Sequence, residues 1–290
     1  MLLSLYRAGF FLGRVLPLKA CYVLAEIVGR IYFIFSDKDK DALRKNLRVV
    51  LGPDIDDKEL DAHVLKVFIN FGKYLADFFK FQKVTKEQMD RDIEIEGQHH
   101  LDEAMTLNKG VILLSAHIGN WELGGAAVAA LGYRINAIVL THKDKKINDL
   151  FSGRRSDYNV NGIPLGIRIK QCFKVLKDNQ MLAIVVDKDY SGSNECVEFF
   201  GREALMPKGA AAISLRTRSP IVVVTMTRKA DDTFRLRFAK PIIYESSGDH
   251  AGDMKCLMRK YLEVVEAQIL ECPDQWYVFE KIWKPQQTIQ

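Results

Sequence analysis

The feature that most constrains the fold is a series of short apolar runs that alternate with helical segments after Gly97. "GVILLSAH" is typical of a buried strand, and "RINAIVLTH", "MLAIVVDKDY" and "PIVVVTMT" repeat the pattern further along the chain. Helical segments lie between these runs, and residues 251–271 form a last long helix. Strands that alternate with helices predict an α/β fold with a mixed, mainly parallel sheet flanked by helices on both faces.

The first 36 residues are the most apolar part of the chain. Charged side chains interrupt them, so no run reaches the ~18–20 residues that a membrane-spanning helix needs. After Pro17, the side chains of Lys19, Glu26 and Arg30 fall in one stripe within about 40° on a helix. Two helices that are apolar over most of their circumference predict a helical hairpin set into one leaflet of a membrane. The alternative is ordinary packing of these helices on the domain core.

This pattern divides the chain into a membrane-associating segment, residues 1–36, and an α/β domain, residues 37–290. The α/β domain begins with solvated helices over residues 38–92.

The net charge and the cysteine content indicate which class of partner and which cellular compartment suit this protein. Lys and Arg number 42 against 37 Asp and Glu, a formal net charge of +5, which suits an anionic membrane surface and does not indicate nucleic acid. The five cysteines are scattered and form no CxxC pair, so we expect reduced thiols in a protein that faces the cytosol.

Polar residues follow two of the predicted strands, where reactive groups collect in an open α/β sheet. His117 comes directly after the first strand, and Glu122 lies in the first turn of the next helix. A carboxylate at this spacing can fold back onto the imidazole, fix its tautomer and leave the other ring nitrogen as a general base. The alternative is a capping histidine and an ordinary helix-start glutamate. Asp187 ends the third strand, where loop capping is the alternative to a catalytic role.

Other site types lack their signatures. No G-x-G-x-x-G follows a strand and no G-x-S-x-G is present, so neither a dinucleotide fold nor a serine hydrolase elbow is indicated. His99 and His100 have no partner at metal-ligand spacing, and no metal or other cofactor is expected. His142 ends the second strand, either as a loop histidine or facing the site.

Five ordered segments resemble one protein family over nearly the whole chain. "SAHIGNWELGG" resembles the H-x4-D/E block of the bacterial late lipid A acyltransferases and their relatives, including the phosphatidylinositol mannoside acyltransferases. "ALRKNLRVVLG" is similar to the family's RxxxxNL segment, and "VVDKDYSG" to its aspartate-rich turn. "VEFFGREALMPKG" and "CPDQWYVFEKIWKP" resemble its FFG block and its closing P-x-Q-W segment.

The resemblance implies a glycerol-phosphate-acyltransferase-like fold and an O-acyltransferase of lipid A or other glycolipid biosynthesis. A fatty acyl chain would pass from a thioester, acyl carrier protein or coenzyme A, to a hydroxyl of a membrane glycolipid. No further cofactor is implied, and the place of action would be the cytoplasmic face of the bacterial inner membrane, with monotopic or peripheral attachment. The alternatives are a thioester or lipid hydrolase and a non-catalytic lipid-binding protein.

The resemblance also assigns roles to residues. His117 would be the general base and Glu122 the carboxylate that orients it, without a covalent acyl-enzyme. Asp187 and Glu198 lie in other blocks of the family, and one of the two is expected near His117.

Three further residues are candidate substrate contacts. Arg155 and Lys208 are candidates for a phosphate or phosphopantetheine, with solvated surface charge as the alternative. Asn120, within the H-x4-E block, is a third candidate for binding substrate.

Overall fold

The computed structural model describes residues 2–81, 83–142, 144–166, 169–190 and 192–283. Ile167 and Arg168, at the start of one predicted helix, and Lys284 and Pro285, at the end of the closing block, lie outside the described residues. Five helices come first: α1 (Leu2–Val15), α2 (Leu18–Phe35), α3 (Asp37–Leu51), α4 (Asp57–Lys80) and α5 (Lys86–Asp92).

Seven strands form one twisted sheet in the order β1-β9-β8-β2-β5-β3-β4. Their bounds are β1 (Ile93–Glu96), β2 (Val111–Ser115), β3 (Ile135–Val139), β4 (Val160–Pro164), β5 (Met181–Val185), β8 (Ile221–Arg228) and β9 (Phe234–Phe238). β8 and β9 pair antiparallel, and the other neighbouring strands of this sheet pair parallel. A separate antiparallel hairpin consists of β6 (Asn194–Phe199) and β7 (Arg202–Pro207).

Helices cover both faces of the sheet, so the predicted mixed, mainly parallel α/β fold is confirmed. Their bounds are α6 (Gln98–Thr106), α7 (Trp121–Ala130), α8 (Lys145–Asp157), α9 (Ile169–Lys177), α10 (Gly209–Thr217) and α11 (His250–Glu271), and a short 3₁₀ helix follows at Pro273–Gln275. Alternate residues of β2 enter different cores: Ile112 and Leu114 pack with α10 and α11, whereas Val111 and Leu113 pack with α6 and α7.

The N-terminal helices lie on either side of Pro17, as predicted, and both pack against α4. Glycines make the approach between α2 and α4 close: a Cβ on Gly72 would lie 2.7 Å from the carbonyl oxygen of Ala25, and one on Gly29 would lie 2.9 Å from the carbonyl oxygen of Phe68. The opposite side of α2 is apolar and exposed. Within the described ranges, no helix combines the length and the apolarity needed to cross a bilayer.

The register of the central strands positions the polar residues that follow them. β2 and β5 are parallel neighbours, and Ser115 pairs with Val185 at their carboxyl ends. His117 and Asp187 each come two residues later, so the same register brings them to adjacent positions at the carboxyl-terminal edge of the sheet.

Candidate active site

The His117 imidazole contacts the carboxylate of Asp187. Nδ1 of His117 lies 2.6 Å from Oδ1 of Asp187, and the backbone N–H of His117 donates to Oδ2 at 2.8 Å. A carboxylate accepts hydrogen bonds, so this contact places the ring proton on Nδ1 and leaves Nε2 as the basic nitrogen. Nε2 forms no hydrogen bond among the described residues, and the His117 side chain keeps 17% of its surface exposed.

Asp187 has no exposed side-chain surface, and a third donor completes its set of partners. The indole N–H of Trp276 donates to Oδ2 at 2.9 Å. Burial raises the pKa of the Asp187 carboxyl, but the interaction with His117 and the hydrogen bonds outweigh burial and hold the pKa below its ordinary value. The buried carboxylate is therefore ionised at neutral pH and can stabilise an imidazolium.

The turn after His117 is fixed by backbone contacts. Gly119 has a φ of 60°, and a Cβ there would lie 2.0 Å from the carbonyl oxygen of Met226, so only glycine fits. The Asn120 side chain then caps α7 by accepting the backbone N–H of Leu123 at 3.0 Å.

The closing segment of the chain holds the same turn from the other side. The backbone N–H of Tyr277 donates to the His117 carbonyl at 2.8 Å, and the Gly119 N–H donates to the Gln275 carbonyl at 2.9 Å. The Gln275 side chain in turn exchanges two hydrogen bonds of 2.8 Å with the backbone of Arg228 in β8. Gln275 and Trp276 belong to the P-x-Q-W block, and their contacts with the His117 turn and with Asp187 were not predicted from the residues.

Glu122 does not provide the carboxylate on the imidazole, and this expectation was wrong. Its carboxylate binds Arg155 of α8 instead: Nε lies 3.1 and 3.2 Å from the two oxygens, and a terminal guanidinium nitrogen lies 2.5 Å from Oε1. Both side chains are largely buried, with 11% of Glu122 and 14% of Arg155 exposed. A forked guanidinium satisfies both oxygens of a carboxylate better than one imidazole nitrogen can, which explains the pairing.

Arg155 is therefore a partly buried ion-pair partner and not a solvated surface charge. Burial lowers the pKa of its guanidinium, but Glu122 outweighs burial and raises the pKa above its ordinary value. His142 lies near Arg155: the centre of its ring is 4.7 Å from that of the tilted Phe151 ring, and burial together with Arg155 lowers the pKa of its imidazole. Trp121 packs edge-on against the His117 ring, with 4.9 Å between the ring centroids.

Among the remaining candidates, only Asp187 contacts the imidazole. Of the two acidic candidates, Asp187 contacts His117, whereas Glu198 lies on β6 with 58% of its side chain exposed and is 3.6 Å from Arg259. Lys208 precedes α10 and is 3.9 Å from Glu195. The Asn120 side chain is buried and fully used between the α7 cap and Asp77 of α4.

Comparison with known proteins agrees with this architecture. A sequence model of the family described as "Bacterial lipid A biosynthesis acyltransferase" matches residues 1–285. A phosphatidylinositol mannoside acyltransferase of Mycobacterium tuberculosis is 23% identical over 287 residues, covering 96% of this chain and 87% of the relative. A lipid A biosynthesis palmitoleoyltransferase of Escherichia coli is 22% identical over 271 residues, covering 93% and 86%.

An α/β sheet with a histidine–carboxylate pair at its mouth and these relatives define an acyltransferase of lipid metabolism. The chain belongs to the bacterial lipid A biosynthesis acyltransferase family, as its sequence blocks predicted.

Proposed function

We propose that this protein transfers a fatty acyl chain from an acyl thioester to a hydroxyl of a membrane glycolipid, with His117 as the general base. The observation that carries the proposal is the contact of His117 Nδ1 with the buried Asp187 carboxylate, which leaves Nε2 unpaired within the described part of the chain. A base of this kind suits a reaction in which an alcohol loses its proton as it attacks a carbonyl carbon.

The reaction needs one proton to move twice. Nε2 of His117 takes the proton of the acceptor hydroxyl while the oxygen attacks the thioester carbonyl and forms the new C–O bond. The tetrahedral intermediate then breaks its C–S bond, and the imidazolium returns the proton to the departing sulfur. Asp187 stabilises the imidazolium between these steps, and no acyl-enzyme forms.

Arg155 is the candidate for binding negative charge in this reaction. Glu122 fixes the guanidinium through a bidentate pair, and 14% of the Arg155 side chain stays exposed. A guanidinium that is already held in place can bind a phosphate of the acceptor or donor, or the developing oxyanion, with little further ordering. We assign Glu122 to positioning Arg155.

A membrane surface is the proposed place of action. α2 turns Cys21, Tyr22, Ala25 and Gly29 toward α4, and its other side exposes a continuous apolar surface. The outward apolar surface of α1 and α2 consists of Leu5, Phe11, Val15, Val23, Leu24, Ile27, Val28, Ile31, Tyr32, Ile34 and Phe35. Apolar area of this extent on a positively charged protein suits insertion into one leaflet of an anionic membrane. We propose the cytoplasmic leaflet of the bacterial inner membrane, because acyl thioesters and reduced cysteines suit that side.

Vesicle flotation tests the membrane surface. Ile27→Glu in the outward apolar surface is expected to weaken binding to phosphatidylglycerol vesicles about 10-fold or more, since a charge replaces buried apolar area. Leu270→Glu on α11 is the matched control, because Leu270 is 52% exposed and Ile27 is 50% exposed. Equal partitioning of Ile27→Glu and the unsubstituted protein would contradict the assignment.

An acyl-transfer assay tests the reaction itself. The purified protein is supplied with palmitoyl or palmitoleoyl thioesters of coenzyme A and of acyl carrier protein, and with vesicles that contain a phosphatidylinositol mannoside or a lipid A precursor. We expect acylated glycolipid as the product, and a loss of about 10³-fold or more in His117→Ala.

The control variant is His100→Ala on α6, which removes an imidazole of similar burial, 19% exposed against 17% for His117. Free fatty acid as the sole product would mean hydrolysis, and an untouched donor at every enzyme concentration would mean a lipid-binding protein. Full transfer by His117→Ala would refute the mechanism.

A further inference from the structure

A second buried carboxylate, Asp77 of α4, lies beneath the active-site turn and does not contact His117. Asp77 is 1% exposed. It accepts hydrogen bonds from the Tyr22 hydroxyl of α2 at 2.6 Å and from the Asn120 side-chain amide at 2.9 Å, and it also binds the guanidinium of Arg228 at the end of β8. Four elements therefore meet at this one carboxylate.

Asn120 connects Asp77 to the turn that carries His117. Its Nδ2 donates to Asp77, while its Oδ1 accepts the N–H of Leu123 and caps α7. Its backbone N–H donates to the Met226 carbonyl at 2.7 Å. With both ends of the amide occupied, the orientation of Asn120 depends on where Asp77 lies, and Asn120 is three residues from His117.

Tyr22 extends the connection to the membrane-facing helix. Its hydroxyl is on the buried side of α2, opposite the outward apolar surface, and the Arg228 guanidinium lies 4.6 Å from the centre of its ring. Gly72 and Gly29 bring α2 so close to α4 that α2 has little room to move sideways. The position of α2 is therefore coupled to Asp77 through the Tyr22 hydroxyl.

We propose that Asp77 is a positioning residue for the turn that carries His117. Through the hydrogen bond of Tyr22 to Asp77, the position of α2 against α4 also determines the geometry of the active site. The inference rests on the proposed function for its effect on rate, although its effect on the turn is independent of any reaction. Buried ion pairs add little net stability. We therefore assign Asp77 and Arg228 to holding α2, β8 and α7 in one arrangement.

One variant, measured in two ways, tests this connection. Tyr22→Phe removes one hydroxyl and keeps the ring packed. Tyr244→Phe is the matched control, since its hydroxyl also donates to a buried carboxylate, that of Asp253 at 3.1 Å. Amide hydrogen exchange of residues 117–124 reports on the turn directly, and we expect about 5–10-fold faster exchange there in Tyr22→Phe, because one hydrogen bond is lost.

Kinetics and binding give the second readout. With palmitoyl-coenzyme A as donor, Tyr22→Phe is expected to lower kcat about 10-fold and to leave the KM within about 2-fold, because misplacement of a base affects the chemical step. Binding to phosphatidylglycerol vesicles is expected to stay unchanged, since Tyr22 is on the buried side of α2.

The possible outcomes distinguish the positioning role of Asp77 from the proposed acyl transfer. Unchanged exchange at residues 117–124 would overturn the positioning role, and so would faster exchange spread evenly over the whole protein, which means general destabilisation. Faster exchange confined to the turn, in a protein that transfers no acyl chain, would support the connection while refuting the proposed function.

Discussion

Asp187 and Asp77 are both buried carboxylates near one turn, and their partners differ. Asp187 faces an imidazole that is partly open to solvent, whereas Asp77 faces the Arg228 guanidinium, which is 8% exposed. Burial lowers the pKa of Arg228, but Asp77 outweighs burial and raises it, so this cation keeps its charge. A carboxylate paired with a titratable ring can assist proton transfer, while one paired with a permanent cation can only fix positions.

The largest effect that separates the two carboxylates is expected from Asp187→Asn. An amide can donate to the imidazole and favour the wrong tautomer, so kcat is expected to fall about 10³-fold. Circular dichroism should show a folded protein, since the Asn side chain has the same size. An activity in Asp187→Asn equal to or above that of Tyr22→Phe would reverse the roles assigned to Asp187 and Asp77.

A smaller effect is expected from Glu122, a largely buried acid in the first turn of α7. Glu122→Gln leaves Arg155 without its charged partner in a largely buried place, and the free energy of unfolding is expected to fall by about 2–4 kcal/mol in urea titrations. Glu198→Gln is the control, since Glu198 is mostly exposed and its loss should cost under about 0.5 kcal/mol. Equal losses of unfolding free energy in the two variants would mean that the largely buried Glu122–Arg155 pair stabilises the fold no more than the exposed Glu198–Arg259 pair.

The smallest effect is the pH dependence of stability. The pKa of Asp187 in the folded protein lies below its ordinary value of about 3.9, so its contribution to stability is present above that value and is lost as the pH falls through the folded pKa. The difference in free energy of unfolding between the unsubstituted protein and Asp187→Asn is thus expected to shrink as the pH falls from about 5 toward 3. A difference that grows over this interval would mean that Asp187 is protonated in the folded protein.

Most strands of the sheet could be predicted from the sequence, whereas the contacts within the candidate site could be predicted only in part. Continuous apolar runs predicted β2, β3, β5 and β8, because strands buried on both faces leave little choice of residue. The short β1 and β4 and the β6–β7 hairpin were not predicted: β1 reads "IEIE", and its glutamates pair with arginines of β9. The alternation of β1 spans only four residues, the lower limit for a strand signal, and the ion pairs that complete it join residues far apart in the chain.

The site illustrates the same limit. His117 was predicted as a site residue from its position after a strand. Glu122 was predicted as its carboxylate partner because it is close to His117 in the sequence. The register of β2 and β5 instead brings Asp187, 70 residues away in the chain, onto the imidazole. One local signal for the second cluster was present: Asp77 interrupts the apolar stretch "YLADFFKF", where an unpaired carboxylate would not be buried. Nothing local identifies Arg228 or Tyr22 as its partners.

The most direct test of the His117–Asp187 pair is ¹⁵N spectroscopy of the histidine rings. The chain has six histidines, and the signals of His117 are those missing from His117→Ala. In the neutral ring of the unsubstituted protein, we expect a protonated Nδ1 and an unprotonated Nε2, a pattern that Asp187→Asn changes and Glu122→Gln leaves intact. A proton on Nε2, or a His117 signal that responds to Glu122→Gln and ignores Asp187→Asn, would contradict the assignment of Asp187 as the carboxylate that holds the base.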